Sequence, residues 1–153
     1  MNVNFINPFI SATIHVLDTM VSASVAPGKP FLKKNNIAMG DVTAIIGLTG
    51  EARGTISVSF TEQSILSIVT KMFGEEAKEL NEEIRDAVGE ISNMISGHAR
   101  QSLEKMGKSM TAAIPTVIMG KKHTISHITH YPVIAIPFNT DHGGFTIEVC
   151  LEE

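Results

Sequence analysis

The longest regular pattern in the sequence is a helical one that runs from about Leu80 to Met106, with Gly107 as its predicted end. Apolar residues recur there every three or four positions, so they gather on one side of a helix. The residues on that side are Ile84, Ala87, Val88, Ile91, Met94, Ile95 and His98. A long helix with one apolar side requires a second layer of structure to cover that side.

Strand patterns lie on both sides of this helix. Residues 42–48 and 54–60 predict a β-hairpin around the turn Thr49-Gly50-Glu51. In the second of these strands apolar and polar residues alternate, which predicts one buried face and one polar face. Further strands are predicted at residues 112–119, 133–138 and 145–151, the last two joined by a turn over residues 139–144.

Two other helices are predicted. The first runs from Asn7 to about Ser22, with Asn7 as its N-cap and Pro8 in its first turn, and a breaker segment follows at residues 26–30. The second begins after Thr61, which is a good N-cap, and ends at Gly74.

The order of these elements predicts an α+β fold. Helix, strands, two helices and strands follow one another, which favours a largely antiparallel sheet covered by helices on one face. The length suits a single domain over residues 1–153. Helix, breaker and hairpin occur once in each half, so the domain is predicted to be a degenerate internal repeat.

Composition and charge exclude several classes of protein. The net charge is −4, so the basic stripe typical of nucleic-acid binding is absent. No apolar run approaches the roughly 20 residues of a membrane span, and residues 1–5 lack the positive charge of a signal peptide. The only cysteine, Cys150, has no partner for an intramolecular disulfide. We therefore expect a cytoplasmic protein that binds neither nucleic acid nor membrane.

A polar stripe follows the long helix on the side opposite its apolar residues. Its members, at i, i+4, i+7 and i+11, fall within an arc of about 60°; they are Asp86, Glu90, Asn93 and Gly97. Glycine inside a helix costs about 1 kcal/mol relative to alanine, and asparagine is also a poor helix former. A solvated helix face is the simpler interpretation, but two unfavourable residues on one stripe favour a surface that contacts a partner.

The motif Asp86-x-x-x-Glu90-x-x-Asn93-x-x-x-Gly97 resembles the signature helix of the CheC/CheX/FliY phosphatases of bacterial chemotaxis. Residues at similar spacing further along the chain are Leu103, Gly107, Pro115 and Gly120. The resemblance implies a phosphatase that removes the phosphoryl group from the aspartate of a CheY-like response regulator.

The same resemblance implies a role for each member of the stripe. Glu90 pairs with the active-site lysine of the receiver domain, and Asn93 orients the attacking water beside the phosphoryl group. Asp86 and Gly97 belong to the partner-binding surface. The response regulator supplies Mg²⁺, so the phosphatase needs no cofactor of its own. A non-catalytic adaptor that binds a receiver or a flagellar switch component through this helix face is the alternative.

The first helix holds a changed copy of the stripe. A shift of 75 residues maps the stripe onto Ser11, His15, Asp18 and Ser22. Because no carboxamide is present, this helix is predicted to be catalytically inactive, which favours a CheX-like over a CheC-like member. A homodimer is also expected, from the resemblance and from the open edge predicted for the apolar C-terminal strand.

Three other groups of residues are assigned no chemistry. His123, His127 and His130 lie in a strand-like or loop segment that would split them between two faces, so no metal site is predicted. Cys150 is interpreted as a sheet residue. The glycine-rich segment 47–54 lacks the Lys-Ser/Thr ending of a phosphate-binding loop.

Overall fold

The structure, a computed structural model, describes residues 3–127 and 131–152. The helices found in this part of the chain are α1 (Asn7–Val21), α2 (Glu62–Phe73) and α3 (Glu82–Lys105). The strands are β1 (Ala26–Pro27), β2 (Phe31–Lys33), β3 (Val42–Gly50), β4 (Arg53–Phe60), β5 (Met110–Ala112), β6 (Thr116–Met119), β7 (Val133–Thr140) and β8 (Gly143–Glu152).

The strands form one antiparallel sheet whose two halves have the same arrangement, a hairpin with two short strands on its outer edge. The two hairpins β3–β4 and β7–β8 meet at the centre, where β4 pairs with β8. The short strands β1 and β2 of the first half pair with β7, and β5 and β6 of the second half pair with β3. The predicted internal repeat is therefore a pseudo-twofold arrangement. The short strands of each half pair with the hairpin of the other half. The α+β single-domain prediction is confirmed.

The helices bury their apolar sides against one face of this sheet. Fully buried core residues come from all three helices, among them Phe9, Ile65 and Ile91. The predicted ends of α2 are confirmed: the Thr61 hydroxyl accepts a hydrogen bond from the Ser64 N–H at 3.2 Å, and Gly74 ends the helix with φ 74°. In the described part of the chain, no helix is both long and apolar enough to cross a bilayer.

The predicted N-cap of α1 is wrong. Asn7 is the first helical residue, and the cap position belongs to Ile6, which is already in the right-handed helical conformation. A 3-10 turn at Val3–Phe5 precedes it, so the chain enters α1 already coiled. The Ile6 carbonyl then accepts hydrogen bonds from the N–H groups of Phe9 and Ile10, and no side-chain cap is formed.

The second face of the sheet is polar, as its alternation predicts, but it is not exposed. Thr55, Ser57 and Ser59 of β4 are all buried. Two irregular segments, residues 34–41 and 120–127, cross this face and are joined by backbone hydrogen bonds, including one of 2.8 Å between Ala38 N–H and the His123 carbonyl. Small polar side chains thus pack beneath a polar cover.

A buried ion pair lies under the same cover. The Lys33 ammonium contacts the Glu148 carboxylate at 2.5 Å, and the two side chains are 3% and 2% exposed. The second oxygen of Glu148 lies 3.1 Å from Nε2 of His127. Together these contacts join β2 and residues 120–127, the covering segment, to β8.

The C-terminal strand has no open edge, so that argument for a homodimer is wrong. Strand β8 lies between β4 and β7 and pairs with both along most of its length. The local sequence does not show that β4, more than 80 residues earlier, covers this edge. The homodimer therefore remains a prediction from the family resemblance alone.

The single strand predicted at residues 112–119 is split by a β-bulge. Residues 113–115 oppose only two residues of β3, Ile46 and Gly47, because Ala112 pairs with Leu48 and Thr116 pairs with Ile45. Pro115 has no N–H to donate to the ladder, which explains the break. The predicted breaker at residues 26–30 contains the equivalent bulge between β1 and β2.

We expect Lys33→Ala to lower the free energy of unfolding by about 3–5 kcal/mol, because it leaves the buried Glu148 carboxylate without its cation. Lys34→Ala removes the adjacent, exposed lysine and is the matched control, with an expected change within about 0.5 kcal/mol. Urea unfolding at neutral pH measures both. Equal stability of the two variants would contradict a structural role for the ion pair.

Candidate functional site

The polar stripe lies on the solvent side of α3. Asp86, Glu90 and Asn93 are exposed and Gly97 is half-buried, whereas Ile91 and Ile95 on the opposite side are buried. The sequence period of α3 alone therefore predicts correctly which residues face outward. The helix is held at its start by the Asn81 side chain, which accepts a hydrogen bond from the Ile84 N–H at 3.1 Å.

The polar side chains of the stripe point into solvent. Within residues 3–127 and 131–152, no hydrogen bond or ion pair engages the side chains of Asp86, Glu90 or Asn93. The two carboxylates and the carboxamide are therefore solvated and available to an incoming partner. A carboxamide presents both a donor and an acceptor, and a carboxylate presents only acceptors.

An open groove of about 370 Å³ runs beside the stripe, between α3 and the start of β6. Its lining residues are Arg85, Asp86, Gly89, Glu90 and Asn93 on the helix and Ile114, Pro115 and Val117 on the opposite wall. The Arg85 guanidinium donates a 2.9 Å hydrogen bond to the Val117 carbonyl, which fastens the wall to the helix. Polar groups on one side of the groove thus face an apolar wall on the other.

Sequence reasoning missed this wall. Ile114 is 89% exposed, although the sequence pattern places it inside a strand. The available signal was Pro115, since a proline within a predicted strand indicates an edge, a break or a bulge. No local pattern shows, however, that the bulge lies beside α3.

The first helix is less equivalent to α3 than the 75-residue shift suggests. Ser11, His15 and Asp18 are exposed, but Ser22 lies beyond the end of α1 as its C-cap, with φ 51°. The His15 ring stacks on His98 of α3, with centroids 4.3 Å apart and planes inclined by 11°. His15 therefore contributes to the packing of α1 against α3.

The histidines of the covering segment have structural partners. His123 lies 2.6 Å from the Thr43 hydroxyl and 2.5 Å from the Gly120 carbonyl, and His127 contacts Glu148. His130 lies outside the described residues. Among the residues that are described, no three histidine, cysteine or carboxylate side chains are grouped as metal ligands would be.

The single cysteine is a sheet residue, as predicted. Cys150 is buried in β8, and its thiol donates to the Tyr131 carbonyl at 3.2 Å.

Comparison with known proteins gives consistent matches. A family profile described as chemotaxis phosphatase CheX matches residues 42–139. The CheY-P phosphatase CheX of Thermotoga maritima is 28% identical over 122 residues, which is 79% of each chain. The crystal structure of a CheC-like superfamily protein from Shewanella sp. PV-4 superimposes with a TM-score of 0.93 at 44% identity, over 100% of both chains.

A structure of a complex is also similar. The CheX–CheY–BeF₃–Mg²⁺ complex from Borrelia burgdorferi matches with a TM-score of 0.82 at 26% identity, over 99% of this chain and 100% of that one.

We expect Gly97→Ala to raise the free energy of unfolding by about 1 kcal/mol, because alanine is the better helix former. The added Cβ meets only the Arg100 Nη2 atom, at 3.8 Å, which is ordinary contact. The control is Gly107→Ala, where φ is +87° and the same change is expected to destabilise. Urea unfolding of both variants is the measurement, and a loss of stability in Gly97→Ala would show that the glycine serves the fold.

Proposed function

The chain belongs to the CheX family of chemotaxis phosphatases and is a protein phosphatase, and we propose that its substrate is the aspartyl phosphate of a CheY-like response regulator. The Thermotoga relative is named for its action on CheY-P, and the Borrelia complex contains CheX together with CheY. The proposal chiefly rests on Glu90 and Asn93, which are exposed on the outer side of α3 and have no side-chain partner among the described residues.

The reaction requires little chemistry from the phosphatase. An aspartyl phosphate is an activated group, and in-line attack by water breaks its P–O bond to release inorganic phosphate and the aspartate carboxylate. Catalysis is then mainly positioning and charge stabilisation. The Mg²⁺ in the Borrelia complex supports a metal that arrives with the receiver. In this proposal the phosphatase inserts one helix face into a site that is otherwise complete.

Asn93 is the proposed catalytic residue, because its carboxamide orders the attacking water. The carbonyl oxygen accepts a hydrogen bond from the water, while the NH₂ group can donate to a phosphoryl oxygen. A carboxamide cannot act as a general base, and so the proton leaves with solvent or phosphate. An orientation effect of about 100-fold corresponds to only about 2.7 kcal/mol, within reach of one or two hydrogen bonds.

Glu90 is proposed to dock the complex by pairing with the active-site lysine of the receiver. It lies one helical turn from Asn93, so both side chains reach the same small region of a partner. Asp86 continues the acidic side of this contact. Gly97 has no side chain, which allows the partner's backbone to approach the helix closely.

The proposed catalytic surface is present once in each chain. At the equivalent positions on α1, His15 stacks on His98 and Asp18 lacks a carboxamide. A homodimer would therefore display two such surfaces, and we retain the homodimer as a proposal from the family resemblance. Because a CheY-like response regulator is the proposed substrate, we also propose that the protein acts in the cytoplasm.

We expect Asn93→Ala to lower kcat about 100-fold while the affinity for a phosphorylated receiver changes little, since the carboxamide acts chiefly in the transition state. Phosphate release from a phosphorylated receiver gives the rate, and a thermal melt verifies folding. Asp18→Ala, at the matching position of α1, is the control and is expected to retain full activity. If folded Asn93→Ala hydrolyses as fast as the wild type, the water-positioning role is wrong.

We expect Glu90→Ala to weaken binding to the receiver, and Glu90→Lys to weaken it further by placing two cations together. Glu90→Gln keeps the shape and removes only the charge. The dissociation constant of each variant for a receiver loaded with BeF₃⁻ and Mg²⁺ is measured at low and high salt. A wild type that binds this receiver yet never accelerates phosphate release would support the adaptor alternative.

A further inference from the structure

The apolar wall of the groove ends in one protruding side chain. Ile114 is 89% exposed, the largest exposed fraction among the large hydrophobic side chains of the described residues. Building on the proposed function, we propose that Ile114 is the apolar anchor of the receiver interface. It packs against an apolar patch beside the phosphorylated aspartate of the receiver and adds apolar affinity to the docking contact of Glu90, while Asn93 sets the rate.

The β-bulge holds Ile114 outward on a rigid support. Residues 113–115 oppose two residues of β3, so the extra residue turns the chain away from the sheet. The Ala113 N–H still donates to the Gly47 carbonyl at 2.9 Å, and Arg85 holds the Val117 carbonyl on the other side. Because the backbone is held in this way, only the side-chain torsions of Ile114 remain to be ordered on binding, which favours affinity.

The other half of the molecule shows that the fold does not require an isoleucine here. Residues 28–30 oppose Ile136 and Pro137 in the same bulge, and the Gly28 N–H donates to the Pro137 carbonyl at 2.7 Å. The residue equivalent to Ile114 is therefore Lys29, which is exposed. A charged residue suits that position, so the fold does not require Ile114. Ile114 forms a contiguous apolar patch with Pro115 and Val117, and such a patch favours a surface that a partner covers.

The two helices also differ at a position that borders the groove. The 75-residue shift places Ile14 of α1 opposite Gly89 of α3, and Gly89 lines the groove beside Glu90. With no side chain at Gly89, the groove stays open next to Val117, whose Cγ2 atom would lie 3.7 Å from an added Cβ. Open grooves of similar size also lie beside α1, so what distinguishes the second half is the protruding Ile114 beside the Glu90–Asn93 pair.

Charge complementarity favours a receiver over a second copy of this chain. A twofold contact centred on this groove would gather Asp86 and Glu90 of both copies near the axis, where they repel, and Arg85 is already engaged by the Val117 carbonyl. A receiver presents a lysine and Mg²⁺ to these carboxylates. The apolar contact then lies beside a charged one, as in the centre of many interfaces.

The test is Ile114→Ser, with Lys29→Ser at the equivalent bulge as the matched control. Affinity is measured by titration with a CheY-like receiver loaded with BeF₃⁻ and Mg²⁺, and turnover by phosphate release. Loss of a buried isoleucine contact is expected to raise Kd and KM about 10- to 100-fold with kcat unchanged. Ile114→Leu should restore most of the affinity, and the fold-change should be equal at low and high salt because the contact is apolar. Lys29→Ser should match the wild type.

The outcomes separate this inference from the proposed function. A wild type that binds the loaded receiver without speeding phosphate release overturns the phosphatase reaction proposed above, and Kd still tests Ile114. Unchanged Kd in Ile114→Ser, or an equal loss in Lys29→Ser, overturns the anchor. A fall in kcat at constant KM does so too, since it assigns Ile114 to positioning. If light scattering shows that Ile114→Ser alone reduces a wild-type dimer to a monomer, the wall is a contact between copies.

Discussion

The antiparallel pairing of β4 with β8 is the interaction on which the rest of the structure depends. It joins the two hairpins at the centre of the sheet, in a register that places Phe60 opposite Phe145. The rings of these two residues lie 5.1 Å apart, and Phe138 stacks on Phe145 at the same distance. With the hairpins joined in this way, both ends of the sheet accept short strands from the opposite half, and the helices share one continuous apolar surface.

The two faces of this sheet are buried by different means. Helices cover the apolar face, where large side chains such as Phe9 and Ile91 exclude water. On the other face, Thr43 and Ser59 bond to each other at 2.8 Å beneath the covering segment, and Glu148 balances the charge of Lys33. Buried polar groups are tolerated when they have partners. The partner of Thr43 lies on the other strand of its own hairpin, whereas Lys33 and Glu148 are 115 residues apart in sequence. These contacts stabilise the polar face of the sheet, while on the opposite face α3 exposes its outer side to solvent.

The repeat provides two similar frames, and the site arises where they differ. Both halves place a helix beside a bulged pair of edge strands. Only the second combines Glu90, Asn93, the gap at Gly89 and the exposed Ile114, whereas the first uses His15 for packing against His98. The shared frame positions a helix face and a wall at a fixed separation. The residues placed on that frame give one half its proposed chemistry and the other a structural role.

The sequence alone determined the α3 surface, both hairpins and the internal repeat, because helical and strand periods are local properties of the chain. From the exposed stripe it also determined the family, through residues such as Glu90 and Asn93. Only the tertiary structure decided that β8 is central, that the polar face of β4 is covered, and that Ile114 faces the same groove as Asn93. Each of these depends on which distant segments pair, and pairing is selected by the free energy of the whole packed sheet, which no local period encodes.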